Sequence, residues 1–379
     1  MIQSFSSGVL FFTLLPKLFL NFPKQYRNVF LLMVIVGLFG SNALGGLSGS
    51  LSLELDRWHW IFIINIISAI LILGNVILRK NEYHQTSDIH ISRSMMITLV
   101  LSTISLMIPM SLLTQKGYHS LWVWPILLIA IFFIVNFIIT NRQATHPIVH
   151  FHTLFSKKPF VGATMAISSH LTLLTGIAGI NVYIVRILKL PFDISLHFYF
   201  FFFVGVIITG ILKMFFYSSV GAGFLGTLGS SALLYVSIHW IILGNTINIP
   251  LLYIQGLLLG FGASMTLVSG SMATLLDGDL KEAAQRSQTM HTIRNFSAAM
   301  LIPIIAYTIK NHIQKGTQSI YAENITDKMI YLKKLQDVAI DADHQIFLLM
   351  IIFNMVMFVS SIIQMILGKG RRITPPRES

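Results

Sequence analysis

Residues 121–140 read LWVWPILLIAIFFIVNFIIT, a run of twenty residues without one charged side chain. Twenty residues of α-helix rise about 30 Å, which is the thickness of the hydrocarbon core of a bilayer. The two tryptophans at its start are typical of the boundary between lipid and water. This stretch therefore predicts a transmembrane helix.

Ten further apolar runs have a similar length, and the whole chain has few charges to cover a water-soluble surface. Hydrophobic residues make up 54% of the chain and charged residues 11%, whereas soluble domains carry roughly a quarter charged residues. The sequence thus predicts an all-α polytopic membrane protein. The eleven expected spans are Ser4–Phe22, Asn28–Ser50, Trp58–Leu78, Ser94–Thr114, Leu121–Thr140, Pro159–Val185, Leu196–Phe216, Ala222–Leu243, Ile249–Leu276, Ser287–Ile309 and His344–Leu367.

The distribution of Lys and Arg between alternate loops predicts the orientation. Basic residues accumulate in short cytoplasmic loops, while long loops carry little weight. With the long loop Lys310–Asp343 set aside, one set of loops holds four basic residues, namely Arg57, Lys116, Arg186 and Lys189. The opposite set holds 15: Lys24, Arg27, Arg79, Lys80, Arg93, Arg142, Lys157, Lys158, Lys213, Lys281, Arg286, Lys369, Arg371, Arg372 and Arg377. We expect a cytoplasmic C-terminus and an external N-terminus.

Several classes of function are disfavoured by the same sequence. The formal net charge of +12 is explained by topology, so nucleic acid is not an expected partner. Patterns of metalloprotease, nucleophile-elbow or P-loop type are absent, and no cofactor is implied. The chain has no cysteine, and the spacing of His146, His150 and His152 fits no standard metal site. An enzyme is therefore not expected.

Small residues recur every fourth position in the second expected span. Gly37, Ser41, Gly45 and Gly49 would lie on one helical face, where small side chains let a neighbouring helix approach closely. With Asn42 and Gly46 they form a pattern Gly-x-x-x-Ser-Asn-x-x-Gly-Gly. Residues 58–65, WHWIFIIN, follow at the entrance of the next span.

In order and spacing these segments resemble the major facilitator superfamily, in particular its fourteen-span drug:proton antiporters. That family carries G-x-x-x-G-P-x-x-G-G in its fifth span and W-R-W-I-F-x-I-N leading into the sixth. Here Ser41 and Asn42 replace the second glycine and the proline, and His59 replaces the arginine. The resemblance continues through Gln255-Gly256 and through Arg294-Asn295, which stand where the family has its twelfth and thirteenth spans.

The resemblance implies a multi-pass transporter of a bacterial-type inner membrane, exporting a small amphipathic or hydrophobic compound in exchange for protons. Its partners would be the lipid bilayer, a small-molecule substrate and protons, and its exposed small-residue face also favours a homo-oligomer or a further partner helix. The expected organisation is a remnant of an N-terminal bundle (1–78, spans 4–6 of the family), two linker spans (79–140), a six-span C-terminal bundle (141–367) and a basic cytoplasmic tail (368–379). The family's first three spans are expected upstream.

Six polar residues at membrane depth are candidates for transport or gating. A charge inside a span is by default a functional hypothesis, which singles out Arg294, although its guanidinium could instead reach the membrane surface. His170 could carry a proton near neutral pH or form a neutral hydrogen bond between helices. Neutral polar residues could line a pathway or join helices: Asn65, Asn181, Tyr183 and Gln255.

Acidic residues are missing from all eleven expected spans. Proton-coupled transport usually depends on a titratable group at membrane depth. This absence leaves a second hypothesis open, namely a truncated, non-transporting remnant or an accessory membrane protein.

Overall fold

The computed structural model describes residues 22–23, 27–55, 57, 59–78, 93–117, 120–145, 147–276, 282–323 and 327–368. Nearly all of them are helical, and the expectation of an all-α membrane protein is confirmed. The helices are α1 (Arg27–Glu54), α2 (His59–Leu78), α3 (Arg93–Lys116), α4 (Val123–Gln143), α5 (Phe151–Leu154), α6 (Lys157–Asn181, continued by a π-helix Val182–Ile187), α7 (Phe192–Trp240), α8 (Ile249–Leu276), α9 (Ala283–Ala322) and α10 (Lys328–Ile366).

Eight of the described helices are long and apolar enough to cross a membrane. Three differences separate this number from the eleven expected spans. The expected span Ser4–Phe22 lies outside the described residues apart from Phe22, as does the basic tail after Gly368. In α2 the described apolar stretch, Phe62–Leu71, is shorter than the 18 residues that a candidate span needs. Two further expected spans, Leu196–Phe216 and Ala222–Leu243, are joined in α7.

The 49-residue helix α7 reverses direction at Gly221. This residue has φ 82° and ψ 173°, a conformation that glycine adopts readily because it lacks a Cβ. Gly205, before the break, faces Leu257 and Phe261, while Gly229, after it, faces Gly262 and Met265. A straight helix would separate positions 205 and 229 by about 36 Å. The two arms of α7 therefore lie side by side against α8 and correspond to two membrane crossings.

The main core forms where the arms of α7 close on α8. A Cβ on Gly260 would lie 2.0 Å from the carbonyl oxygen of Phe202, and one on Gly205 would lie 2.1 Å from that of Leu257. The two backbones thus approach more closely than any larger residue would allow. Helices α6 and α10 complete this bundle, and α1 packs on α7 from one side.

The segment Lys310–Asp343 is far more helical than the sequence predicts. It was expected as a long loop, yet its described residues lie almost entirely in α9, which ends at Ala322, and in α10, which begins at Lys328. Helices of 40 and 39 residues rise about 60 Å and so extend well beyond a bilayer core. Gly316 packs against Val338, which shows that the extensions form an antiparallel hairpin.

Candidate transport cavity

The small-residue face of α1 does not make the close contacts that its spacing suggested. Within the described part of the chain, a Cβ on Gly37, Gly45 or Gly49 would meet nothing within 4 Å, and Ser41 is exposed. The close approach falls on Gly46 instead, where a Cβ would lie 2.6 Å from the ring of Tyr199. The reason is that the large apolar side chains of α1, Phe30, Ile35 and Phe39, are buried and set which face meets α7. The side chain of Asn42 lies outside the described residues.

A cavity of about 290 Å³ lies beside this contact, between α1 and the bundle. Glycines of α1 form one wall. The opposite wall comes from the end of α6, its π-helical continuation and the start of α7. The lining residues are Gly45, Gly46, Gly49, Asn181, Val182, Val185, Arg186, Phe192, Ser195 and Tyr199. The glycines of α1, which have no side chain, thus leave space between α1 and the helices of the opposite wall.

Three polar side chains give this apolar cavity a hydrogen-bonding wall. Asn181 donates from Nδ2 to the hydroxyl of Tyr199 at 2.7 Å. Ser195 is 2% exposed, and its Oγ has no hydrogen-bond partner in the described part of the chain. A buried hydroxyl without a partner costs about 1–3 kcal/mol. Ser195 therefore lies beside the cavity with an unsatisfied hydroxyl whose oxygen is itself covered by protein.

The π-helical segment Val182–Ile187 contacts both the cavity and the loop after α7. Such segments widen one turn of a helix and occur often at functional sites. Tyr183 is fully buried, and its hydroxyl donates to the carbonyl oxygen of Gly244 in the loop after α7. Three residues later, Arg186 is exposed and lines the cavity. The same helical turn therefore contacts the loop through Tyr183 and the cavity through Arg186.

Gln255 and Asn65 lie apart from the cavity. Gln255 is buried between α7 and α8, where its Oε1 accepts a hydrogen bond of 2.8 Å from Trp240 Nε1. Asn65 is on the exposed surface of α2. The geometry of Gln255 corresponds to the interhelical alternative that its sequence left open.

Arg294 and His170 are close to each other on neighbouring helices α9 and α6. Arg294 is 9% exposed, and its Nε and Nη2 donate to Asn295 Oδ1, each at 3.4 Å. The positive charge of Arg294 acts on His170 and on His291, a buried histidine one turn earlier in α9, and opposes a positive charge on either of them. The three basic groups form a cluster separate from the cavity lining, and their role in transport or gating stays a prediction.

A buried carboxylate, Asp343, is the residue that the sequence reasoning missed. It was assigned to the loop before the last span, but it lies inside α10 at 1% exposure. Neither carboxylate oxygen has a hydrogen-bond partner among the described residues, and Tyr183 is an electrostatic neighbour. The signal was available, since Ile340 and Phe347 place position 343 on a buried helical face.

Lys213 is a second buried charge that was counted as part of a cytoplasmic loop. It is fully buried in the first arm of α7, and its Nζ has no hydrogen-bond partner within the described ranges. Thr209, one turn earlier, donates to the carbonyl of Phe261 in α8. Lys213 therefore lies on the same face of α7 as Thr209, the face that packs against α8.

Comparison with known proteins shows that the chain is similar to a membrane transporter over almost its whole length. The MFS-type transporter YubD of Bacillus subtilis is 22% identical over 380 residues, which cover 98% of this chain and 70% of YubD. The chain resembles major facilitator transporters over almost its whole length. No protein-family model matches it.

Two resistance proteins are similar over shorter stretches. The quinolone resistance protein NorB of Staphylococcus aureus is 30% identical over 147 residues, or 38% of this chain and 30% of NorB. The multidrug resistance protein 3 of Bacillus subtilis is 28% identical over 168 residues, 43% of this chain and 32% of the relative. The chain thus spans about a third of these two proteins. The description of YubD as a transporter fits the expectation of a multi-pass membrane protein that is not an enzyme.

Proposed function

We propose that the protein is a transporter that exports a small amphipathic or hydrophobic compound by proton exchange. The observation that carries this proposal is the cavity between α1 and the start of α7, with its mostly apolar walls and the polar pair Asn181 and Tyr199. Small-molecule sites are concave, mostly apolar and furnished with a few polar groups. The similarity to YubD and to two resistance proteins supports the same function.

The position of the cavity suits alternating access. In such transporters, substrate binds between two groups of helices that rock against each other. Helix α1 packs chiefly on α7, and at the cavity its close contact is Gly46 against the Tyr199 ring. At this point no described side chain of α1 interlocks with the ring, whereas Leu32 of α1 packs against Gly210 elsewhere along the contact. Movement of α1 across Tyr199 would therefore open or close the cavity.

Asp343 is the group that we propose to carry the proton. A carboxylate that is buried without hydrogen bonds favours its neutral form, because burial penalises the charge. It can therefore exchange a proton when water reaches it and keep the proton when the site closes. This assignment supplies the acidic group that the eleven expected spans lacked.

Reconstitution into lipid vesicles tests the proposal. Vesicles containing the protein, with a pH gradient imposed across the membrane, should accumulate a fluorescent quinolone, and a protonophore should abolish the accumulation. Equal accumulation in protein-free vesicles would overturn the proposed function and favour a non-transporting protein.

Asp343→Asn should abolish gradient-driven accumulation while leaving exchange of the quinolone across vesicles without a gradient. Asp341→Asn is the matched control, since this carboxylate lies two residues away in α10 with its side chain 71% exposed. Undiminished gradient-driven accumulation by Asp343→Asn would refute its assignment as the proton carrier.

A further inference from the structure

The charge of the cavity wall indicates which compounds it selects. Of the described residues that line the cavity, Arg186 alone is charged, and the others are uncharged residues, three of them glycines. Arg186 forms no ion pair with a described carboxylate, and it is exposed. A guanidinium with free donors pairs most favourably with a carboxylate, sulfonate or phosphate.

We propose that this cavity selects amphipathic anions, with the apolar part of the ligand between α1 and α7 and its anionic group at Arg186. The inference rests on the proposed transport function and adds the class of substrate. The amide of Asn181 lies on the same wall and can donate a further hydrogen bond to the anionic oxygens. An amphipathic cation meets no carboxylate in this lining.

The size of the cavity sets a limit on the ligand. At about 290 Å³ it is at the lower end of small-molecule sites, which span roughly 300–1,000 Å³. A two-ring aromatic compound with one charged substituent fits this range. The open faces of Gly45 and Gly49 provide the flat surface on which such rings can lie.

Three naphthalene derivatives with fixed charge test the selection by calorimetric binding to the purified protein. Naphthalene-2-sulfonate is an anion, 2-naphthyltrimethylammonium is a cation, and naphthalene-2-sulfonamide is neutral. We expect the sulfonate to bind about tenfold more tightly than the cation, which corresponds to about 1.4 kcal/mol for one partly exposed charge-assisted contact.

Four variants separate recognition from folding. Arg186→Gln should remove the preference for the sulfonate, whereas Lys189→Gln, which removes a neighbouring exposed charge outside the lining, should keep it. Ser195→Ala should keep the preference for the sulfonate without lowering the thermal unfolding temperature, because it removes an unsatisfied hydroxyl that is covered by protein. Gly49→Leu should block all three compounds by filling space that is empty.

The outcomes distinguish this inference from the proposed function. Equal or tighter binding of the cation, an unchanged preference in Arg186→Gln, or no saturable binding of any compound would each overturn the selection of anions. The vesicle assay judges transport separately, since accumulation of the quinolone would stand even if the three naphthalenes were not discriminated. Loss of that accumulation would remove the function on which the inference rests.

Discussion

Substitution Gly260→Ala tests the packing that holds the bundle together. The new Cβ would lie 2.0 Å from the carbonyl oxygen of Phe202, where real Cβ contacts essentially never fall below 3.0 Å. The backbones of α7 and α8 would have to separate by about 1 Å. Overpacking of this kind typically costs about 1–3 kcal/mol, and we expect the upper part of that range because a backbone atom, rather than a flexible side chain, must move.

The helix propensity of alanine opposes this loss by about 1 kcal/mol, so Gly37→Ala is the matched control. A Cβ on Gly37 meets nothing within 4 Å, and the control should be neutral or slightly more stable. Thermal unfolding in detergent should place Gly260→Ala about 5 °C below the control, at roughly 2 °C or more per kcal/mol. Equal unfolding temperatures for the two variants would refute the close approach of α7 and α8.

Three further predictions concern one side-chain hydrogen bond, one pair of hydrogen bonds to backbone carbonyls and the titration of one histidine. Trp240→Phe should lower stability by about 1–3 kcal/mol in thermal unfolding, because Gln255 is left buried and unpaired; Gln255→Leu added to it should recover part of the loss. Arg286→Ala should speed hydrogen exchange at the end of α8, where the guanidinium binds two carbonyls at 3.1 and 3.2 Å; unchanged exchange would contradict this clasp. Burial lowers the pKa of His150 against the opposing attraction of Glu282. Its folded form thus binds a proton less readily than the unfolded chain, and stability should fall as pH drops below about 6.5. His150→Gln should flatten that slope in thermal unfolding measured from pH 7.5 to 5.5.

The spans could be predicted because hydrocarbon thickness fixes their length and composition. That rule is applied to each apolar stretch separately, so it predicted the two arms of α7 as separate spans. It failed where a helix continues beyond the lipid. The polar segment Lys310–Asp343 looks like a loop because charges face water, yet its apolar positions recur at helical spacing and pair across the hairpin, as Gly316 and Val338 do.

The cavity could be predicted only in part. Of its lining residues, Asn181 was identified from its polarity, and Gly45, Gly46 and Gly49 from a motif. What the sequence could not supply is how far α1 is rotated relative to α7. That rotation sends Gly46 against Tyr199 and leaves Gly45 and Gly49 open, and it depends on long-range packing of aromatic side chains. Ser195 carried no sequence signal, since an unsatisfied hydroxyl can be recognised only in three dimensions.

The π-helical segment Val182–Ile187 relates the two proposed sites to each other. At one end of its turn, Tyr183 is an electrostatic neighbour of Asp343 and binds the loop carbonyl of Gly244. Three residues on, Arg186 lines the cavity. A π turn contains an extra residue and can relax to α-helix by a local change in register, which would rotate Arg186 relative to Tyr183. Protonation of Asp343 removes a charge beside this turn, and an anion at Arg186 adds one. On the proposed function, both events therefore act on the same short segment; coupling them requires in addition that this segment have two states with different contacts to the proton site and to the substrate.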